Sequence, residues 1–409
     1  MKLQSIETFV VANPPPRRGG RYFIFVELKT ACGITGVGEI YNATFSPHLC
    51  AQMAEDVFAR IFEGADPHHI ERLWHRTYGA GYTMRPDVTV MGVLSGLEMA
   101  CWDIIGKAAD KPVYELLGGR VHERLRTYTY LYPPGDEDVY PDPDVANVYN
   151  DPDLAAECAL YWVDQGFTAV KFDPAGPYTV YDGHQPRLTD LERSEKFCKR
   201  IREAVGTRAD LLFGTHGQFS VSGAKRLARR IEPYDPLWFE EPVPPEMPEH
   251  MAEVARATAV PISAGERLCT KFEFARLLDC GAASILQMNL GRVGGLLEAK
   301  KIAAMAETKY AQIAPHLYCG PVVGAANIQL SACSPNFLVL EGIQKWDGFH
   351  ADILKTPLRW EDGHILPPTA PGLGVELDTQ VARAHPYTSS TLHLTMEGDP
   401  LNHGGDNAG

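Results

Sequence analysis

The sequence predicts an α/β barrel of the TIM type joined to an α+β portion that precedes it. Three observations carry this expectation. Eight short β-type runs recur beyond residue 125, spaced by about 22 to 44 residues with amphipathic helical segments between them, the rhythm of a barrel strand and its crossover helix. Most of these runs end in a charged or hydrogen-bonding residue. Before them the order differs: strands come first and helices follow, as in an α+β unit. An open doubly wound sheet is the competing reading of the same alternation, and the eight strand candidates favour closure. At roughly 150 residues per domain, the 409 residues leave room for two to three domains.

Composition narrows the partners. The 38 basic and 52 acidic residues give a formal net charge of −14, so no basic face for a nucleic acid is expected. A pocket can still be locally positive on an acidic chain, which keeps a small anionic substrate open. No apolar run approaches the roughly 20 residues of a membrane span, so no membrane partner is expected. The N-terminal run MKLQSIETFVV lacks the layout of a signal peptide. The nine cysteines are scattered, odd in number and never spaced CxxC, which suits reduced thiols in a cytoplasmic protein.

The elements follow in order. Tyr22–Lys29 and Gly36–Ile40 are β-type runs around the turn Ala31-Cys32-Gly33, an antiparallel meander. Helical stretches are expected over 47–62, 69–78 and 90–108, with a further turn over 112–117 stopped by Gly118-Gly119. The barrel strands are Leu125–Tyr130, Ala169–Phe172, Asp210–Phe213, Trp238–Phe239, Ile262–Ala264, Ser284–Gln287, Tyr310–Ala314 and Phe337–Leu340. Asp151-Pro152 opens a helix as N-cap and first helical residue, and Gly166 closes it. Thr270-x-x-Glu273 reads as a capping box, with Gly281 ending that helix. Pro133–Asp153 is acidic, proline-rich and expected to be a long surface loop. The Gly- and Asn-rich tail beyond about Glu397 is expected to be poorly ordered.

In a barrel, functional side chains come from the C-terminal ends of the strands. Here those ends read Lys171-Phe172-Asp173, then Gly214-Thr215-His216, Glu240-Glu241-Pro242, Gly265-Glu266-Arg267, Met288-Asn289, Pro315-His316 and Glu341. Loops are polar in any case. The signal is that seven successive strands end this way, aimed at one mouth.

At these residues the chain resembles the enolase superfamily, mandelate racemase subgroup. The run GLEMACWDIIGK (96–107) and the run KPVYELLGG (111–119) are similar to that subgroup's long helix and its LLGG turn. The likeness continues through GITGVGE (33–39), EEP (240–242), GER (265–267), Gly294-Gly295, APH (314–316) and PGLG (371–374), in order along nearly the whole chain. It implies a (β/α)7β TIM-like barrel under an α+β capping domain. The cap would take residues 1–124, the barrel 125–365, and the segment 366–409 would return to the cap. It also implies removal of a proton next to a carboxylate, with Mg²⁺ stabilising the enediolate that forms.

The resemblance assigns roles residue by residue. Glu240 and Glu266 fall on the second and third metal-ligand positions. The first is an aspartate in the family and Gly214 here; Asp173, His216 or water could replace it. A His216 ligand would suit Zn²⁺ or Mn²⁺ better than Mg²⁺. His316 falls on the general base, and Asn289 stands where the family has the aspartate that orients it. Asn289 can hydrogen-bond the ring but brings no charge. His216 matches the general acid that protonates a departing hydroxyl in acid-sugar dehydratases. Lys171 matches the lysine that pairs with the substrate carboxylate. Asp173 replaces the second lysine, which argues against a two-base racemase; it could bind metal, accept a sugar hydroxyl or pair with Lys171. Glu341 matches a carboxyl that hydrogen-bonds the enediolate. Arg267, in the GER run, and Arg17, with Arg18 in the segment 13–22, are candidate substrate contacts, although a solvated basic loop accounts for the latter equally well. That segment and Tyr41–His48 are the candidate lid loops.

The leading expectation is thus an acid-sugar (aldonate or aldarate) dehydratase, a lyase giving a 2-keto-3-deoxy acid, with a small-molecule carboxylate substrate and a homo-oligomeric state. An epimerase or lactone cycloisomerase on the same scaffold is the second reading. A catalytically weakened ligand-binding or regulatory homologue is the third, motivated by the joint departures at Gly214, Asp173 and Asn289.

Overall fold

The computed structural model describes residues 1–42, 44–82, 84–142, 144–173 and 183–393. The described strands are β1 (Leu3–Ala12), β2 (Tyr22–Thr30), β3 (Thr35–Ile40), β4 (Leu125–Tyr130), β5 (Ala169–Phe172), β6 (Asp210–Gly214), β7 (Trp238–Glu240), β8 (Ile262–Ala264), β9 (Ile285–Leu286), β10 (Gln312–Ile313), β11 (Leu340–Gly342), β12 (Arg359–Glu361) and β13 (His364–Leu366). They distribute over two compact units. One comprises Met1–Thr127, Gly265–Ala275 and Gln287–His393; the other comprises Tyr128–Ala264 and Arg276–Leu286.

In the first unit, β1, β2 and β3 form an antiparallel sheet in the order β1-β2-β3. The central strand β2 is apolar on both faces, and Tyr22 to Val26 are all buried. The long helix Val88–Ala108 lies on β3. Its approach is close because Gly36 and Gly38 carry no side chain: a Cβ at either would overlap the backbone oxygens of Ala100 and Gly96. The helix starts at Val88, two residues before the expected start, because Asp87 caps it by accepting from the N–H groups of Thr89 and Val90 (2.9 and 3.3 Å).

Three buried carboxylates then pin this helix and β3 to the rest of the unit. Glu39 accepts from the N–H groups of Gly320, Val322 and Val323 (2.5, 3.1 and 2.9 Å), at the start of the helix Pro321–Ala332. Glu98 accepts from Leu296 and Leu297 (2.7 and 2.9 Å), at the start of the helix Leu296–Glu307, and from the Trp102 indole (2.8 Å). Asp103 accepts from Val37, Leu373 and the Lys107 ammonium (3.0, 2.9 and 2.7 Å). A helix N-terminus exposes unbonded N–H groups and a positive dipole end, so a carboxylate satisfies both.

In the second unit, β4 to β9 pair in parallel in sequence order. The helices Pro152–Asp164, Leu188–Val205, Val221–Ile231 and Pro248–Ala255 lie between successive strands. Asp151 caps the first of these through the N–H groups of Asp153 and Leu154, and Gly166 follows its end at φ 110°. Strand residues alternate in facing. Phe172, Phe213 and Phe239 stand in register, edge to face, with centroids 5.7 and 5.5 Å apart. On the opposite face of β7, the Trp238 indole donates back to Glu240 two residues on.

Several sequence expectations change in detail. β1 was not expected: its buried Leu3, Phe9 and Val11 are interrupted by the polar run of Gln4, Ser5, Glu7 and Thr8. β12 and β13 were also missed, although Asp362-Gly363, at φ 44° and 72°, is a hairpin-turn pair. The stretch 47–62 is an α-helix only to Val57 and then widens into a π-helical turn, Phe58–Phe62. In the expected capping box, Glu273 accepts from the Cys269 N–H (2.7 Å), because Thr270 takes a left-handed backbone at φ 64°. Strands β9 and β10 are shorter than expected, and Phe337 makes only an isolated bridge to Ile313. Val88–Ala109 is long and apolar enough to cross a membrane, contrary to the sequence reading, yet most of it is buried in protein. The tail beyond Glu397 and residue 43 of the segment Tyr41–His48 lie outside the described residues.

Removing Glu39 strands three buried N–H groups, so Glu39→Ala should lower unfolding free energy by about 3 kcal/mol in urea titrations. Burial also raises the Glu39 and Glu98 carboxyls from 4.5 to about 7. The folded state therefore holds protons that the unfolded chain releases, and the stabilisation this brings is full below 4.5 and lost as pH rises through about 7. Urea titrations at about pH 5.5 and pH 8 should show the lower stability at pH 8, and Glu98→Gln should shrink the difference.

Candidate active site

In the second unit the strand ends bring four predicted residues into two pairs. Lys171 on β5 and Glu240 on β7 are both buried, and Lys171 Nζ lies 2.6 Å from Glu240 Oε1. The other oxygen, Oε2, accepts from Trp238 Nε1 at 3.0 Å. An ion pair this deep is held by geometry, since each partner has been taken out of water.

The second pair forms around the missing side chain at Gly214. A Cβ there would overlap Asp173 Oδ1, so the Asp173 carboxylate fills the volume that a side chain at 214 would take. Its Oδ2 lies 3.0 Å from His216 Nδ1, an ion-pair contact that is not an in-line hydrogen bond. The loop carrying His216 is tightly built. Thr215 Oγ1 donates to the carbonyls of Glu240 and Glu241 (3.0 and 2.8 Å), and Gly217 N–H donates to Glu241 (2.7 Å). His216 and Glu241 are held in left-handed backbone at φ 49° and 39°, a conformation side-chain-bearing residues adopt only when their surroundings impose it.

The first unit assembles the others. Asn289 Nδ2 lies 2.9 Å from His316 Nδ1, while Asn289 Oδ1 accepts from the Gly291 N–H at 2.8 Å. His316 Nε2 lies 3.1 Å from Glu266 Oε2 and 3.9 Å from Glu341 Oε2. The Leu317 N–H donates to Glu341 Oε2 (2.8 Å), and Asn327 Nδ2 donates to the His316 carbonyl (3.1 Å). The imidazole is thereby fixed in position along its edge and through its backbone.

One contributor, Arg292, was missed in the sequence, and another, Tyr41, was placed only within a lid segment. Tyr41 is 6.1 Å from the His316 ring, and the Arg292 guanidinium stacks 4.1 Å over Tyr41. Arg292 also donates to the Glu266 carbonyl at 3.4 Å. Nothing in the local sequence marks Arg292; Tyr41 lay inside a candidate lid segment. The other candidate lid is braced, not hinged. Asn13 Nδ2 donates to the carbonyls of Arg18 and Gly20 (2.8 and 2.7 Å), and Arg17 sits at φ 58° with its N–H on the Pro14 carbonyl. Arg267 is half-buried beside Glu266.

The donor set does not suit Mg²⁺ as placed. The ion takes oxygen ligands in a near-octahedral shell, and Glu240 and Glu266 are the right type. However, Glu240 carries an ammonium on one oxygen and an indole N–H on the other. Glu266 faces His316, and Asp173 faces His216. Among the described residues no group of three or more histidine, cysteine, aspartate or glutamate side chains is arranged to hold a metal ion. Of the expected ligands, Glu240 is engaged by donors of the protein itself, and Glu266 lies in ion-pair contact with His316.

Comparison with known proteins places the whole chain. Residues 5–118 match the mandelate racemase/muconate lactonizing enzyme N-terminal domain, and residues 153–381 match the enolase C-terminal domain-like family. A D-galactonate dehydratase of Ralstonia pickettii is 34% identical, with 92% of each chain covered. A D-xylonate dehydratase of Haloferax volcanii is 32% identical, covering 91% of this chain and 88% of its own. Among solved structures, a mandelate racemase/muconate lactonizing enzyme from Sulfitobacter sp. is 56% identical with a TM-score of 0.93, covering 98% of this chain and 99% of that one. A protein of the same description from Labrenzia alexandrii DFL-11 is 75% identical with a TM-score of 0.93, covering 97% and 100%. The α/β barrel with a capping domain is the fold of these neighbours, and the chain belongs to the enolase superfamily, in its mandelate racemase subgroup.

Proposed function

We propose that this enzyme, a hydro-lyase, dehydrates acid sugars: it removes the proton α to the carboxylate of an aldonate or aldarate, expels the 3-hydroxyl, and yields a 2-keto-3-deoxy acid. The observation that carries this reading is the state of β5. Its first polar position, Lys171, is a buried cation suited to a carboxylate. Its second, Asp173, is turned to His216. A two-base racemase needs a second base of its own there, whereas an elimination needs proton transfer on one face and an exit for water. The sugar-acid dehydratases among the relatives support the same class.

The residues divide the work. Lys171 offers the ammonium that pairs with the substrate carboxylate, leaving Glu240 to hold it in place. Two imidazoles, His216 and His316, supply the proton-transfer and hydrogen-bonding groups. Within its own unit, His316 is flanked by the carboxylates of Glu266 and Glu341. Members of the superfamily generally use Mg²⁺ to neutralise charge on the substrate carboxylate; here such an ion must compete with Lys171 for Glu240.

Three outcomes are expected. Incubation with a panel of aldonates and aldarates should release 2-keto acid, read as the semicarbazone. Exchange of the α-proton in deuterated water with no keto acid would instead make the protein an epimerase or cycloisomerase, and ligand-induced thermal stabilisation with neither would make it a binding protein. Lys171→Met should abolish turnover and lower stability by about 3 kcal/mol, because Glu240 is left buried and unpaired, while Lys171→Met/Glu240→Gln should recover most of that stability and none of the activity. Calorimetric titration with Mg²⁺ should give an affinity no tighter than the millimolar range, and Lys171→Met should tighten it.

A further inference from the structure

We propose that His393 is a positioning residue for substrate recognition: its ring locks the segment 13–22 onto the stretch that follows His316, and so fixes one wall of that site before a substrate arrives. The lock stands on geometry within the first unit, to which every residue involved belongs. Its effect on a substrate rests on the dehydratase reading above.

The strap that carries His393 is held at its two ends. At the first end, the Tyr387 N–H donates to the Val10 carbonyl on β1 (2.9 Å), and the Tyr387 ring packs 4.8 Å from that of Tyr22. Residues 388–391 are exposed. They turn back on themselves: the Thr391 carbonyl accepts from the Tyr387 hydroxyl, and the Thr391 N–H donates to Ser389 Oγ (3.1 Å). At the second end His393 is buried again, with 3% of its surface exposed. An exposed strap between two buried rings owes its place to those rings, since its middle has little to pack on.

His393 lands on the segment 13–22 in three ways. Its ring stacks on that of Tyr22, with centroids 3.7 Å apart and planes at 24°. Its Nδ1 accepts from the backbone N–H of Arg21 at 2.9 Å. A backbone N–H can only donate, so Nδ1 is the bare nitrogen and the ring is neutral. Burial, with Arg292 and Arg21 nearby, pushes its pKa down to about 3, which agrees. The ring also occupies the space that Gly20 leaves, where a Cβ would come 2.5 Å from Nδ1. Gly19 makes the matching approach on a second histidine. A Cβ there would come 2.9 Å from the Cys319 carbonyl oxygen and 3.0 Å from His350 Nε2, which donates to that same carbonyl (3.0 Å). Cys319 is three residues past His316, so the segment bears on the stretch that carries the imidazole.

His393 also reaches the site through rings. It lies 6.1 Å from both Tyr41 and Tyr318, and Tyr41 is the ring beside His316. Without His393, the Arg21 N–H would lose its acceptor and Tyr22 its stacked ring. Asn13 would still brace the segment from within through the carbonyls of Arg18 and Gly20, but the end that runs into β2 would be loose. A wall ordered beforehand spares the substrate the entropy of ordering it, so the lock favours affinity over turnover.

Trypsin reads the lock directly on the full chain, because the segment carries cleavage sites after Arg17, Arg18 and Arg21. His393→Phe keeps a ring on Tyr22 but cannot accept from Arg21, and His393→Ala removes both contacts. Each should speed cutting at these three sites by roughly tenfold or more, with cutting elsewhere unchanged. His393→Asn, whose Oδ1 can stand where Nδ1 stands, should stay nearest the unaltered protein. Equal cutting in all of these proteins, or acceleration at every arginine and lysine alike, overturns the lock. With an accepted acid sugar, His393→Phe should raise KM by about tenfold and leave kcat within about twofold, and His393→Asn should recover most of the KM. An unchanged KM in His393→Phe overturns the role in recognition. If no acid sugar is turned over, the dehydratase reading fails, while the cutting pattern still decides for or against the lock.

Discussion

The structure around His316 depends on carboxylates buried against helix N-termini. Glu39 is the central case. It leaves the sheet at the end of β3 and closes on the N–H groups that open the helix Pro321–Ala332. The segment between His316 and that helix is short. It is held at its start by Leu317 on Glu341 and at its end by Gly320 on Glu39. The ring of His316 thus inherits its orientation from a contact made by a residue of the β1–β3 sheet. Glu98 performs the same task for the helix Leu296–Glu307, which follows the Asn289–Gly295 turn. Asp103 ties β3 to the segment around Leu373. Burying these charges is costly, and several backbone donors on each offset that cost.

This explains which parts of the fold were legible in the sequence. The parallel strands β4 to β8 were visible because each is a short run rich in β-formers, and their ends fell within a residue or so of the expected places. The carboxylates and glycines of GVGE and GLEMACWD stood out as a family likeness, and their physical role emerged only when their partners, some 200 to 280 positions away, came into view. β1 hid because polar residues interrupt its apolar ones. The left-handed backbone at Thr270 was hidden too, since nothing local demands it.

The candidate site was legible in identity and not in state. Lys171, Asp173, His216, Glu240, Glu266, Asn289, His316 and Glu341 could all be named from strand ends. Their pairings could not. Asn289 looked ambiguous because an amide both donates and accepts. The deciding group is the backbone N–H of Gly291, and backbone groups are invisible to residue-by-residue reading. The engagement of Glu240 was hidden in the same way, because the alternation that puts Lys171 and Trp238 on its two oxygens is a property of paired strands.

Gly214 and Asp173 also constrain how this sequence can change. A carboxylate added at 214 would enter the volume that the Asp173 carboxylate fills, meeting both its atoms and its charge. A change from glycine to aspartate there therefore requires the Asp173 carboxylate to move. The two positions are coupled, because a side chain at 214 and the carboxylate of Asp173 compete for one volume.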